Sequence, residues 1–181
     1  MKTESMVKFV LRLALTLLAI TAVVAVALAG VNMITAPAIA ELNAKNTQAA
    51  IEAVLPGGGE EVAFPETALV SKVYASDTGY AVQVTPGGFD NTITMMVGVD
   101  KAGNVLGIDI ISHTETAGLG AVADAGTPAG EAFRGQFVGK SGSVSVTKDG
   151  GEIDAITGAT ITSEAVCTGV NAALACVANL G

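Results

Sequence analysis

No charged residue stands between Arg12 and Glu41, and the run LALTLLAITAVVAVALAGV inside that gap is apolar throughout. The gap is long enough for a bilayer-spanning helix, which takes about 20 residues. A cleaved secretory signal is the rival, with ALAG at Ala27–Gly30 as a small-residue cleavage site. Signal h-regions run only about 7–15 residues, shorter than this one, so the anchor is the preferred reading. Val31, not a cysteine, directly follows Gly30, which argues against a lipidated anchor there.

Basic residues are also scarce: nine Lys and Arg stand against seventeen Asp and Glu. Lys2, Lys8 and Arg12 precede the apolar run and the next base is Lys45, so the N-terminus is expected in the cytoplasm and the remainder outside it. After residue 40, six bases face sixteen acids, a net of −10. That balance repels phosphate backbones and anionic headgroups and excludes nucleic acid as a natural partner.

There are two cysteines and one histidine. Cys167 and Cys176 lie nine residues apart in a helical pattern, about 13 Å along the axis and on opposite faces, so they do not pair and are read as small buried hydrophobes. No cysteine cluster supports an iron–sulfur centre, and no metal site is expected in this chain.

What is present divides, at 181 residues, into one domain and an appendage: an N-terminus and anchor over 1–40, and a domain over 41–181. Pro37 marks an expected bend, after which IAELNAKNTQAAIEAVLP continues as a helix. GGGEEVAFPET reads as a loop. ALVSKVYAS, YAVQVTP, TITMMVGVD and NVLGIDIISH read as four strands with connections too short for parallel crossovers. Short helices are expected around Val122 and Phe133, and a second hairpin from GSVSV and GEIDAI around TKDG. The last helix presents Val166, Val170, Ala173, Leu174 and Val177 on one face, with Glu164 in its first turn at the positive end of the dipole. The fold class is α+β, a mainly antiparallel sheet flanked by helices.

Three stretches compete for the chemistry. Gly118-Leu-Gly120-Ala-Val-Ala123 fits the relaxed dinucleotide pattern, but TETA separates it from the preceding strand and its neighbours are hairpins, not a parallel βαβ unit. SHTETAGLG combines the lone His113 with Glu115 and a Gly-x-Gly turn; its alternatives are a surface loop and the wall of a pocket against a flat ligand. The third is DAITGATITSEAV, Asp154–Val166, which exposes Thr160 on the approach to a helix N-terminus, a natural anion site. Its plain alternative is a helix cap made by Thr162 or Ser163.

Asp154-Ala-Ile-Thr157-Gly158-Ala159-Thr160, followed by Ile161-Thr162-Ser163, closely resembles the D-x-x-[S/T]-G-A-T-x-[S/T]-S flavinylation motif of the covalent-FMN-binding domains. These occur in the G subunit of Rnf ion-translocating complexes and the related C subunit of the sodium-translocating NADH:quinone reductase. TETAGLG is similar to the family's T-E-T-P-G-L-G segment, with Ala117 where proline is common, which puts the rigidity of that turn in doubt. The likeness spans essentially the whole chain.

The resemblance implies FMN joined to Thr160 by a phosphoester. It places Glu115, Thr116, Gly118 and Leu119 along the ring, and Thr157, Gly158, Ala159, Ile161 and Thr162 around the attachment. A threonine hydroxyl without a base is a poor nucleophile and no histidine adjoins Thr160, so a separate flavin transferase, taking FMN from FAD with magnesium, is implied. Asp154 would belong to the signal that enzyme reads. The implied role is an electron-carrying, membrane-anchored subunit of a Rnf-type ferredoxin:NAD complex, partnered by its other subunits and without complete activity alone. The alternatives are a stand-alone anchored flavoprotein and a non-catalytic extracytoplasmic assembly domain.

Overall fold

The computed structural model describes residues 2–65 and 67–180. One helix, α1 (Lys2–Val54), carries the whole apolar run and continues through Pro37. A proline there removes a single backbone bond, the one to the Met33 carbonyl, and the turns on either side maintain the helix. The large apolar side chains from Met6 to Leu42 are exposed, a surface that belongs in a bilayer. The chain falls into two compact units, the first ending at Lys45 and the second beginning at Asn46.

The second unit is built on a five-stranded antiparallel meander in the order β1-β2-β3-β4-β5. Its strands are β1 (Glu60–Glu61), β2 (Val70–Ala75), β3 (Gly79–Val84), β4 (Thr94–Asp100) and β5 (Val105–Ser112). β1 lies in a stretch that reads from sequence as loop. Its two exposed glutamates carry no apolar alternation, and pairing to Tyr74 and Ala75 alone makes it a strand.

β4 is buried on both faces, and side-chain alternation assigns each face its cover. Met95, Val97 and Val99 face the main core, together with Val82 and Val84 of β3. That core is completed by α3 (Thr160–Ala178), whose Val166, Val170, Ala173, Leu174 and Val177 are all buried as the helical spacing requires. Each of these Val and Leu side chains contributes about 1.5–3 kcal/mol of burial. Met96 and Ala81 point the other way and meet Ala50, Ile51, Val54 and Leu55 from the end of α1. Gly98 admits this approach, because a Cβ there would strike the Val54 carbonyl.

After β5 the chain forms a 3-10 turn, Gly120–Ala123, and then α2 (Pro128–Gly135), which match the short helices expected from sequence. Thr127 caps α2 by accepting from the Gly130 amide at 3.3 Å. Phe133 and Phe137 pack edge to face, 5.5 Å between centroids. Cys167 and Cys176 are free and buried, and burial pushes the Cys167 thiol up to about 11.

The expected second hairpin is absent among the described residues. Val146 and Ile153 meet instead in a single parallel bridge, because a 3-10 turn at Thr147–Asp149 and left-handed Gly150 fold the chain back on itself. Gly151 then lies against the Ser145 carbonyl, where a Cβ would not fit. The apolar alternation in this region reflects Val146 and Ile153 plugging the core rather than strand pairing. Glu164 is likewise displaced from its expected place: α3 begins at Thr160, so Glu164 falls beyond the first turn and lies 3.7 Å from Lys148.

Candidate cofactor cleft

Three segments converge at the start of α3: the loop after β3, the segment that follows β5, and the first turn of α3 itself. They enclose a cleft of about 320 Å³ lined by Phe89, Glu115, Thr116, Leu119, Gly120, Gly158, Ala159, Thr160, Ile161 and Thr162. This volume lies within the about 300–1,000 Å³ of small-molecule sites.

The first turn of α3 owes its shape to DAITGAT. Gly158 takes φ +78°, the Ala159 amide donates to the Ile156 carbonyl at 2.9 Å, and Ala159 becomes the N-cap without side-chain help. The capping alternative is overturned, because both candidate hydroxyls are engaged elsewhere. Ser163 Oγ accepts from the Ile156 amide at 3.0 Å and donates to the Ala159 carbonyl at 2.9 Å, which fastens the turn. Thr162 Oγ1 donates to Glu115 Oε2 at 2.5 Å. The amides of Thr160, Ile161 and Thr162 are left without a partner among the described residues. Such amides, aligned with the helix dipole, suit an anion.

Thr160 is partly exposed, lines the cleft, and its hydroxyl bonds to no side chain among the described residues. Ile161, 51% exposed, and Leu119, 43% exposed, stand at the opening, and Phe89 joins them at 66%. Among the described residues of the domain that begins at Asn46, only Leu106 and Val138 are comparably bare, so exposed apolar surface is concentrated at this mouth.

The segment after β5 folds onto itself. The Glu115 amide donates to His113 Nδ1 at 3.1 Å, and the Thr116 carbonyl accepts from Leu119 and Ala121 at 3.1 and 3.2 Å. With Gly118 at φ +76°, these bonds close the turn although Ala117 lacks a proline's fixed φ. His113 Nε2 lies 3.6 Å from Asp124 Oδ2, beyond ordinary hydrogen-bond reach. Arg134 of α2 donates to the Ala123 carbonyl at 2.6 Å and to that of Ala125 at 3.3 Å, anchoring the end of the 3-10 turn. Its charge partly offsets the burial and the Asp124 charge that raise the carboxyl of Asp109 on β5.

The structure thus brings together Glu115, Thr116, Leu119, Gly158, Ala159, Thr160, Ile161 and Thr162. Gly118, Thr157 and Asp154 are exposed and lie outside the lining. Asp154 is held by its backbone, its amide donating to Gln136 Oε1 at 2.7 Å and its carbonyl accepting from Gln136 Nε2 at 3.2 Å. Phe89 and Gly120 complete the cleft; Gly120 belongs to the Gly-x-Gly turn read from sequence as a pocket wall, whereas sequence reasoning does not find Phe89 as a site residue. PGGFDN around Phe89 signals a turn and nothing more, and only the fold carries it to α3.

Residues 88–175 match the family described as FMN-binding domain. The chain is 34% identical to the G subunit of the Na(+)-translocating ferredoxin:NAD(+) oxidoreductase complex of Acetobacterium woodii, across 96% of this chain and 94% of that protein. It is 31% identical to the G subunit of the ion-translocating oxidoreductase complex of Methanosarcina acetivorans, across 92% and 94%. Identity reaches 40% with the G subunit of the proton-translocating ferredoxin:NAD(+) oxidoreductase complex of Clostridium ljungdahlii, over 56% of this chain and 57% of that one.

Proposed function

From the premise that the chain belongs to the G-subunit family of ion-translocating oxidoreductase complexes and carries its FMN-binding domain, we propose that FMN is joined through its phosphate to Thr160 Oγ1. The chain would relay electrons within a Rnf-type ferredoxin:NAD complex. The observation that carries this reading is Thr160 itself, a hydroxyl without a side-chain partner among the described residues, at the start of a helix with no side-chain cap and on the wall of the cleft.

The residues present fit the group. The free amides of Thr160, Ile161 and Thr162 suit its phosphate, and the bare apolar surfaces of Leu119, Ile161 and Phe89 suit a flat ring. When bound, the flavin supplies the redox chemistry, while the protein supplies position and electrostatic surroundings. Among the described residues no side-chain base bonds to the Thr160 hydroxyl, which supports a separate transferase. In that attachment the Thr160 oxygen would bond to the flavin-side phosphorus of FAD, AMP would leave, and the hydroxyl proton would pass to a base of the transferase. Asp154 and Thr157, beside the turn and outside the cleft, are available for that enzyme to read.

Residues 1–40 would form a cytoplasmic N-terminus and one membrane-spanning anchor, with 41–181 as the extracytoplasmic FMN domain. The second helix apolar enough to span, α3, is mostly buried in the domain core and is better read as part of it. Lys2, Lys8 and Arg12 on one side of the apolar run support the orientation. The other members of the complex would be its partners.

Intact mass of the denatured chain from its native membrane, beside Thr160→Ala, tests the attachment. A gain of FMN minus water that vanishes in the variant supports it. An unmodified chain in the presence of active transferase overturns it.

A further inference from the structure

Glu115 is a buried acid, 8% exposed, on a domain whose other acids mostly face water. Its two oxygens are fully engaged. Oε1 accepts from the amides of Phe89 at 2.8 Å and Asp90 at 3.4 Å, and Oε2 accepts from Thr162 Oγ1 at 2.5 Å. One side chain therefore ties the loop after β3 to the first turn of α3, while its own backbone forms the third wall.

Two glycines make room for it. A Cβ at Gly88 would fall on Glu115 Oε1, and one at Gly120 on both Glu115 Oε2 and Thr162 Oγ1. The seat is thus specific to a carboxylate-sized group flanked by bare backbone. Every bond it makes is accepted, as an ionised carboxylate requires.

Building on the proposed function, we infer that Glu115 is a positioning residue that clamps the three walls of the cleft and sets, through its charge, the electrostatic poise of the flavin site. The clamp holds Phe89 and the α3 amides in one geometry. The charge acts separately: a fixed negative charge on the wall opposes the arrival of electrons in the cleft and so lowers the potential of a group held there.

The two contributions separate by substitution. In Glu115→Gln the amide oxygen can accept from Phe89 and Asp90 while its NH₂ donates to Thr162 Oγ1, so the clamp survives without the charge. Glu115→Ala removes both. The experiment uses the full chain in detergent, made with the flavin transferase, and measures flavin midpoint potential, fractional flavin mass and hydrogen exchange of residues 88–90.

In the flavin-loaded Glu115→Gln chain the midpoint should shift upward. A tenfold change in the reduced-to-oxidised ratio would correspond to about 30 mV for a two-electron couple. Glu115→Ala should exchange the Phe89 and Asp90 amides roughly tenfold faster or more and lose flavin several-fold. An unchanged midpoint in Glu115→Gln overturns the charge role, and unchanged exchange in Glu115→Ala overturns the clamp. Exchange is also compared in a Thr160→Ala background, where no flavin is attached. The clamp is therefore judged even if the attachment reading fails, and a flavin-free parent chain would indicate that failure alone.

Discussion

Thr162 and Glu115, 47 residues apart in sequence, share a buried hydrogen bond of 2.5 Å at the wall of the cleft. Thr162 Oγ1 is the donor that satisfies Glu115 Oε2, and both residues are under a tenth exposed. Thr162→Val keeps the shape and removes the donor, leaving a buried carboxylate oxygen unpaired at a cost of about 1–3 kcal/mol. Thr162→Ser keeps the hydroxyl and should cost less than half as much. Urea unfolding of the chain in detergent checks the ranking; equal losses for Val and Ser would show that methyl packing, not the hydrogen bond, matters there.

Much of this arrangement is legible in the sequence, and the remainder has a physical reason for being hidden. β2, β3, β5 and α3 follow from apolar spacing near 2 or 3.6 residues, while β4, buried on both faces, shows as a near-continuous apolar run. Thr160 and Gly158 are conspicuous because a bare Gly-Ala pair before a run of hydroxyls is a local pattern. Glu115 is visible as a residue but not as a clamp, because its partners Phe89, Asp90 and Thr162 are contributed by distant segments. Val146 and Ile153 alternate like strand residues, yet their partner is the core, which periodicity cannot distinguish from a neighbouring strand. Ser163 and Thr162 look like caps for the same reason: a hydroxyl near a helix start does not disclose which acceptor or donor the fold brings to it.

Gly158 bears on both stability and attachment. At φ +78° a side chain is strained, and a Cβ would also come to 3.1 Å from Leu119 Cδ2. Gly158→Ala should therefore cost about 1 kcal/mol and tilt the turn that presents Thr160. The expected result is slower flavin attachment in a mass time course at a temperature where the variant is fully folded. An unchanged rate would show that the transferase does not depend on the turn's parent geometry.

Asp109 supplies a pH signature. Burial, and next the charge of Asp124, raise its carboxyl above the ordinary 3.8 against the pull of Arg134. A carboxyl raised on folding binds more protons in the native state, so its cost is absent below the ordinary value and develops as pH rises through the folded value. Asp109→Asn should then stabilise the domain at pH 7 and give no gain near pH 3. Thermal unfolding at both pH values tests the sign; a loss at pH 7 would mean that the Arg134 attraction outweighs the burial.

Gln136 holds the start of the DAITGAT segment through paired bonds to the backbone of Asp154, at 2.7 and 3.2 Å. Both bonds are on the exposed side, so Gln136→Ala should cost the fold no more than about 1 kcal/mol. Its larger effect is expected on presentation, since Asp154 and Thr157 would lose the anchor that fixes them relative to Thr160. Under the proposed attachment chemistry, flavin incorporation should slow several-fold, while chain already loaded should keep its flavin potential unchanged. Gln136→Glu retains the acceptor for the Asp154 amide but not the donor, and should fall between the two. Equal incorporation rates in all three chains would remove Gln136 from the presenting machinery and leave the Ser163 bonds at Ile156 and Ala159 as what holds the turn.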